Sequence, residues 1–534
     1  SSPSFEDLGG AWFSAGASDT FTSDSFSGNS VAAGDGGAID SAFFSIDSVS
    51  QSVFDGNSAD GADFPFIGMG GAIENGAFLP MLGSLPATTL VNTSTFTDNF
   101  AGEDGGAFDS NFLLGGGYTI SNSTFGGPGA ESGNFAGYGG AVADEFGVPC
   151  FPDCAHPLSA MHPTGRLAAS LNRAHPNRSS PDLAQHFTRK QPFLDDESIA
   201  DSTFYGNQAF HEGGAIGSFG FFSDPVVTTS TIDNNSIVDD GAGGGLEADG
   251  VSDSPVAIDV ASTILSQNPG GNCDHGNGRI FDDGFNLNWP ASDTSCDHAN
   301  SPPNAIPNGD PTLDALAYNG GPTTANGQPT QTQGLIPGSA AIAQIPFNTS
   351  GQYCGAGDSD QRGVNRQAAS VNDSKCDIGA LEVVSTNSAI ALPSSAVVDT
   401  PVTITDSITE SVPLSGVKPL GTVTFTDNGS SIGTAPSDPG TATLTTSSLP
   451  VGNQSIAAAY PGSSIFDPSN ADPKTIAISP PVPATGSITL PLVDPVSGFG
   501  GAALLVAGLI GCAEAVRIRR RRQRLDQAWV LRRR

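Results

Sequence analysis

Apolar residues along this chain come in short runs, broken every few positions by Gly, Asn, Asp or Ser. In "GGAIDSAFFSIDSVSQSVFDGN", Gly36 to Asn57, the runs centre on Ile39, Ile46 and Phe54. That spacing predicts three short strands separated by turns, and apolar stripes of helical period are absent. The unit recurs. Gly-Gly followed by an apolar residue begins at Gly9, Gly36, Gly70, Gly105, Gly139, Gly213 and Gly244, at intervals of 27, 34, 35, 34, 74 and 31 residues. Between these pairs lie Phe26, Phe54, Phe96, Phe125, Phe204 and Ile232, and Asn29, Asn57, Asn99, Asn207 and Asn235 follow three places after their aromatic or Ile. Self-similarity of this length denotes a repeat architecture. Three strands per unit, stacked, predict a parallel β-helix in which each coil buries its Phe or Ile against the coils above and below. Glycine pairs would permit tight corners, and the asparagines would stack as a hydrogen-bonded ladder.

Two irregularities qualify the repeat. The first Gly-Gly lies nine residues in, so the chain starts inside a coil and a cap and signal peptide are expected to precede it. The 74-residue interval carries about 40 residues too many, matching Cys154 to Phe193. This stretch is Pro-rich and holds five of the basic residues. Cys150, Cys154, His156 and His162 are zinc-binding residue types. Their spacing is irregular, so the segment reads as a disordered loop or a reading-frame artefact, and no metal site is expected.

From about Ser385 the pattern changes to alternating apolar and polar residues, as in "GTVTFTDNGSSIGTA" and "KTIAIS", which is the signature of half-exposed strands. Farther on, Pro495 to Ala513 carries no charge, and "RIRRRRQR" follows. Nineteen uncharged residues suffice to span the hydrocarbon core as a helix, with the arginines on the cytoplasmic side.

Charge narrows the function. The chain has 534 residues and a net charge of −35, and nine of its 20 basic residues are arginines after position 516. The first 150 residues contain no Lys or Arg, so nothing there could neutralise phosphates and a nucleic-acid partner is not expected. The acidity reads as solubility or salt tolerance, with calcium binding the other reading. Of seven cysteines, Cys273 and Cys296, and Cys354 and Cys376, flank Gly/Asp-rich stretches. Such spacing suits disulfides of an exported protein. The sequence does not fix the connectivity, and local pairing is the simplest arrangement. Each loop would contribute roughly 3 kcal/mol in the chain-entropy model.

The Phe-x-x-Asn and Gly-Gly-Ala-Ile units resemble those of chlamydial-type polymorphic outer-membrane proteins, and more broadly of bacterial right-handed parallel β-helix surface proteins. "STILSQNPGGNC", "GDPTLDALAYNGGPT", "LIPGSAAI", "DQRGVNR" and "CDIGALE" then follow in order. They are similar to the closing region of the choice-of-anchor Q proteins, and imply a stapled cap over the end of the solenoid. The Ala458–Gly462 segment resembles the end of a bacterial Ig-like repeat, which implies a single β-sandwich serving as a spacer. "VPATG", with Val482, Pro483 and Ala484 before Thr485 and Gly486, is similar, with the run and basic tail behind it, to the sorting signal of Gram-positive cell-wall proteins. That resemblance implies sortase cleavage between Thr485 and Gly486 and transfer to peptidoglycan. Val482 stands where Leu is usual, and permanent retention by the helix is the other outcome.

The expected fold is therefore all-β: a right-handed parallel β-helix over 1–300 with an irregular insert at about 150–197, a closing region over 301–384, an Ig-like β-sandwich over 385–480, and a sorting signal over 481–534 with a transmembrane helix at about 495–516. The protein is expected outside the cell, on the wall or membrane, with its C-terminus cytoplasmic before any processing. Parallel β-helices also carry polysaccharide lyases and glycoside hydrolases. A lyase needs a basic residue near its carboxylates, and outside the insert only Arg279 precedes Gln361. Hydrolysis needs two placed carboxylates. Asp239–Asp240 and Asp282–Asp283 qualify by type but sit in Gly-rich corners, where Asp is a turn former. No catalytic residue and no cofactor is expected. The reading is a non-enzymatic, adhesin-like rod whose partner is an extracellular glycan or a host or matrix ligand.

Overall fold

The computed structural model describes residues 9–482, apart from 33, 61–67, 77, 80–82, 85–86, 112–116, 130–131, 147–196, 221–222, 240, 251–255 and 297–308. Strands dominate. Three parallel sheets of eight strands each stack side by side, and a fourth of six runs between the third and the first. One coil reads Ile39–Ala42, Ile46–Ser50, Val53–Asp55, Ser58–Ala59, one strand for each sheet in turn. The expected unit had three strands. The fourth is only two residues long in most coils, too short to show alternation in the sequence.

Register holds each apolar position in file. Ile39 pairs with Ile73, Ile73 with Phe108, Phe108 with Val142, Val142 with Ile216 and Ile216 with Leu246. In the third sheet Phe26, Phe54, Phe96, Phe125 and Phe204 stack face to face at 4.6–4.8 Å between ring centroids, continued by Ile232. These files are the rod's core, and the five Phe rings from Phe26 to Phe204 are the interior of the third wall. Offset aromatic contacts add about 0.5–1.5 kcal/mol per pair beyond area burial.

The corners explain the remaining motif residues. The first glycine of each pair has positive φ, for example 68° at Gly36 and 63° at Gly70. The second allows backbone contact between coils: a Cβ on Gly37 would lie 2.0 Å from the carbonyl oxygen of Gly71. In the last unit the pair is Gly243–Gly244, one residue earlier than the sequence pattern places it. Between the second and third sheets the corner is two residues long in each of the first seven coils. Its first residue is left-handed (Ser23, Gln51, Thr93, Asn122, Asp201, Thr229, Ser262). From the second coil its second residue is Ser or Thr, whose hydroxyl accepts from the backbone N–H one coil earlier, as Ser94 does from Ser52 and Ser123 from Ser94.

The closing region does not sit on the end of the rod. Strands Leu313–Ala317 and Thr332–Leu335, and the four-residue helix Arg366–Ala369, lie against the outer side of the third sheet. Thr124 donates to the Gln331 carbonyl, Thr203 to Gln361 and Gln333 to Asp233, while Gly379 donates to the Ser262 carbonyl. The last coil is finished instead by residues 290–296, where Asp293 accepts from the Asn272 backbone. The outward-facing Ile264 and Leu287 begin a second core, which runs through Leu335, Ile345, Ile378 and Val383 into Ile404, Phe425, Ile456 and Phe466.

The C-terminal strands Val402–Glu410, Gly421–Asp427 and Gly452–Tyr460 alternate buried and open residues and pair antiparallel with their neighbours. They share the second core with the closing region, and Val384 donates its backbone N–H to the Ile465 carbonyl and accepts from the Asp467 N–H, both at 3.0 Å. The expected C-terminal transmembrane helix is not sustained. No helix among the described residues is long and apolar enough to cross a membrane, and residues 495–516 lie outside them. The fold class is corrected to all-β, with parallel β-helix sheets and a mainly antiparallel C-terminal domain.

Candidate functional site

The Asn residues form one file at the corner after the third sheet. Asn29 donates from Nδ2 to Asn57 Oδ1 at 2.8 Å, Asn57 to Asn99 at 2.9 Å, and Asn207 to Asn235 at 2.8 Å. Each Oδ1 also accepts the backbone N–H of the preceding Asn, as at Asn57, and each Nδ2 from Asn57 on reaches a third-strand carbonyl, as Asn99 does at Phe54. From Asn57 on, every hydrogen-bonding position of the amide is used. Asn134 and Asn268 belong to the same file and escape the sequence pattern. Asn134 is displaced by an insertion after Gly126, and Asn268 follows Leu265 rather than Phe.

Both cysteine pairs are local: Cys273 bonds Cys296 and Cys354 bonds Cys376. Val482 is exposed, whereas Pro483, Ala484, Thr485 and Gly486 lie outside the described residues, as do Cys150, Cys154, His156 and His162. No group of three His, Cys, Asp or Glu among the described residues is placed to hold a metal ion.

The carboxylates considered for hydrolysis serve turns. Asp239 accepts from the Gly241 backbone and from His211 Nδ1, both at 2.8 Å. Asp282 accepts from the Gly284 backbone at 2.9 Å and from Asn286 Nδ2 at 2.7 Å. Asp240 lies outside the described residues.

The closing motifs carry buried ions. Arg366 is fully buried, 2.8 Å from Asp201 of the fifth coil and 3.1 Å from Glu382. Burial pushes Asp201 up to about 6, against the pull of Arg366. Arg362 donates to Asp360 at 2.6 Å. The residues of "DQRGVNR" and "CDIGALE" thus fasten the closing region to the rod. Between that region and the C-terminal domain, a cavity of about 270 Å³ is lined by Ile342, Asn372, Asp373, Phe466 and Asp467. Burial and nearby Asp373 push Asp467 up to about 6.

Sequence reasoning missed a further cluster, in and around the first sheet. Asp40, Glu74 and Asp109 occupy one file, and Asp104, Asp144, Glu145 and Glu197 lie beside them, all buried. Strand alternation turns Asp40, Glu74, Asp109 and Glu145 away from the core, Asp104 and Glu197 are loop acids, and Asp144 lies on the same side of its strand as Val142; most of the pattern therefore reads as a solvated face. Burial is the first cause raising Glu74, Asp104, Asp109 and Glu197 well above the usual carboxylate range, with neighbouring carboxylates second. Burial likewise pushes Asp144 up to about 6 and Glu145 up to about 7.

Comparison with known proteins assigns one part of the chain. Residues 389–479 match the bacterial Ig-like domain (group 3). No curated protein and no solved structure matches the chain. The Ig-like domain fits an extracellular protein, and its strands are those that share the second core. The choice-of-anchor Q resemblance and the sorting signal receive no match.

Proposed function

We propose that the chain is a non-catalytic surface protein of a bacterium, an extracellular β-helix rod displayed together with an Ig-like domain, with adhesin-like binding of a glycan or matrix ligand by the rod's outer faces. One observation carries this reading. Among the described residues, the polar side chains that the sequence motifs single out are committed to structure: asparagines to the ladder, Asp239 and Asp282 to turns, Arg362 and Arg366 to buried ion pairs. Linkage to peptidoglycan by a sortase, through Thr485, is part of the same proposal and rests on the "VPATG" sequence.

The experiment is a polysaccharide panel assayed for both retention and turnover. Binding without new reducing or unsaturated ends is the expected result. Product release that disappears on changing one carboxylate pair would replace the proposal with a polysaccharide-degrading enzyme. Mass spectrometry of muramidase-released wall fragments tests attachment: a peptide ending at Thr485 on a stem fragment supports it, and peptides extending beyond Gly486 only would remove it.

A further inference from the structure

The buried acids of the first sheet pose a problem of charge. Adjacent parallel strands lie about 4.8 Å apart, and register sets Asp40 beside Glu74 and Glu74 beside Asp109. One strand on, Asn111 pairs with Glu145 and Ser110 with Asp144. No Lys or Arg occurs among the described residues before Arg279. Among the described residues, no donor other than a neighbouring carboxyl reaches either oxygen of Glu74, Asp104 or Asp109, nor Oδ1 of Asp144 or Oε1 of Glu145. The hydroxyl of Tyr118, also fully buried, has no partner among the described residues and feels the charges of Asp144, Glu197 and Asp109. Unpaired buried charges of one sign cost several kcal/mol each, so such groups neutralise instead. Two carboxyl groups side by side do this with one proton, the acid form donating to its ionised neighbour. The close pairs of this kind are Glu74 with Asp109, Asp104 with Glu145, and Asp144 with Glu197.

We propose that these three carboxyl pairs each hold a shared proton, so that the third to sixth coils are tight in mild acid and loosen as the protons leave. The groups facing the pairs are themselves acidic. Asp35 and Asp40 face Glu74, Glu103 faces Asp104 and Glu145, and Asp224 faces Asp144 and Glu197. Only a few neutral donors assist, Ser223 to Asp144 and the Asp224 backbone to Glu197. With native pKa values above those of the unfolded chain, the stability these groups supply is complete below about pH 4. It is lost as pH rises through about 6 for Asp144 and about 7 for Glu145. The inference is independent of what the rod binds.

The test is hydrogen exchange of the full chain at pH 5 and pH 8, corrected for intrinsic rates, comparing peptides within 88–146 with Ig-like peptides within 402–460. One pKa unit corresponds to about tenfold in an opening equilibrium. At least tenfold greater protection at pH 5 is expected in the coils, with the Ig-like peptides nearly unchanged. Glu145→Gln gives Asp104 a permanent amide donor, and should bring protection at pH 8 toward the pH 5 level. Equal coil protection at both pH values in the unaltered chain would overturn the proposal. So would recovery of protection at pH 8 on adding calcium chloride, which would assign the cluster to a cation. Loss of the pH dependence on deleting 150–193, with all six acids intact, would overturn it too, by placing the counter-charge in that segment.

Discussion

The two cores of this molecule are built on opposite plans. In the rod every coil repeats the same few contacts, so the Phe96 ring stacks on Phe54 and Phe125 of the adjacent coils, and stability is a sum of neighbour terms. The second core has no period. It is assembled from Ile264 and Leu287 of the rod, Ile378 and Val383 of the closing region, and Phe425 and Phe466 of the Ig-like domain. Damage should therefore stay local in the first and spread in the second. The Ig-like domain, expected as a spacer, is fused to its neighbour by a common interior.

Substitutions can break or sharpen this contrast. The largest effect is expected from Arg366→Ala, which leaves Glu382 and Asp201 buried without their cation and should cost about 3–5 kcal/mol. Exchange should rise in both the closing region and the Ig-like domain; a rise confined to residues 360–382 would contradict the shared core. Phe96→Ala removes one ring from the stack and should cost a similar 3–5 kcal/mol. Here the faster exchange is expected in the second to fourth coils, with the Ig-like peptides unmoved. Replacing Cys354 and Cys376 together by Ser should lower stability by about 3 kcal/mol, seen as an earlier urea transition of the second core. Asn99→Ala leaves the Asn57 amide and backbone N–H without their acceptor, at about 1–3 kcal/mol. The smallest change is Lys418→Ala, at an exposed pair with Glu410, where under about 1 kcal/mol is expected.

The rod was legible wherever one residue recurs at one corner. Phe54, Gly36 and Asn57 announce themselves because their counterparts stand at matching positions in neighbouring units. The fourth sheet was not, since Ser58–Ala59 is too short for a pattern. The closing region's position was hidden for another reason: its partners Gln51, Thr124 and Asp201 lie hundreds of residues away, and no period links them. The buried acids had a visible signal. Asp40, Glu74, Asp109 and Glu247 each follow the apolar residue of the Gly-Gly unit. Alternation places them outside the coil, and only the three-dimensional packing removes water from them.

The two-residue corners between the second and third sheets also govern how such a chain can change its length. Whatever lies between Phe146 and Ser198, Ile120 still pairs with Ile199 and Phe125 with Phe204. The variable stretches Asn75–Thr88, Asn111–Gly117, Phe146–Ser198, Gly220–Val226 and Gly250–Ala257 all open at the same place, between the first sheet and the second. The strands on either side keep their register across these differences in length. A single extra residue between Asn92 and Thr95 would instead reverse the inward and outward sides of that strand, turning Phe96 out of the stack. One corner differs in length from coil to coil, and the other keeps two residues through the first seven.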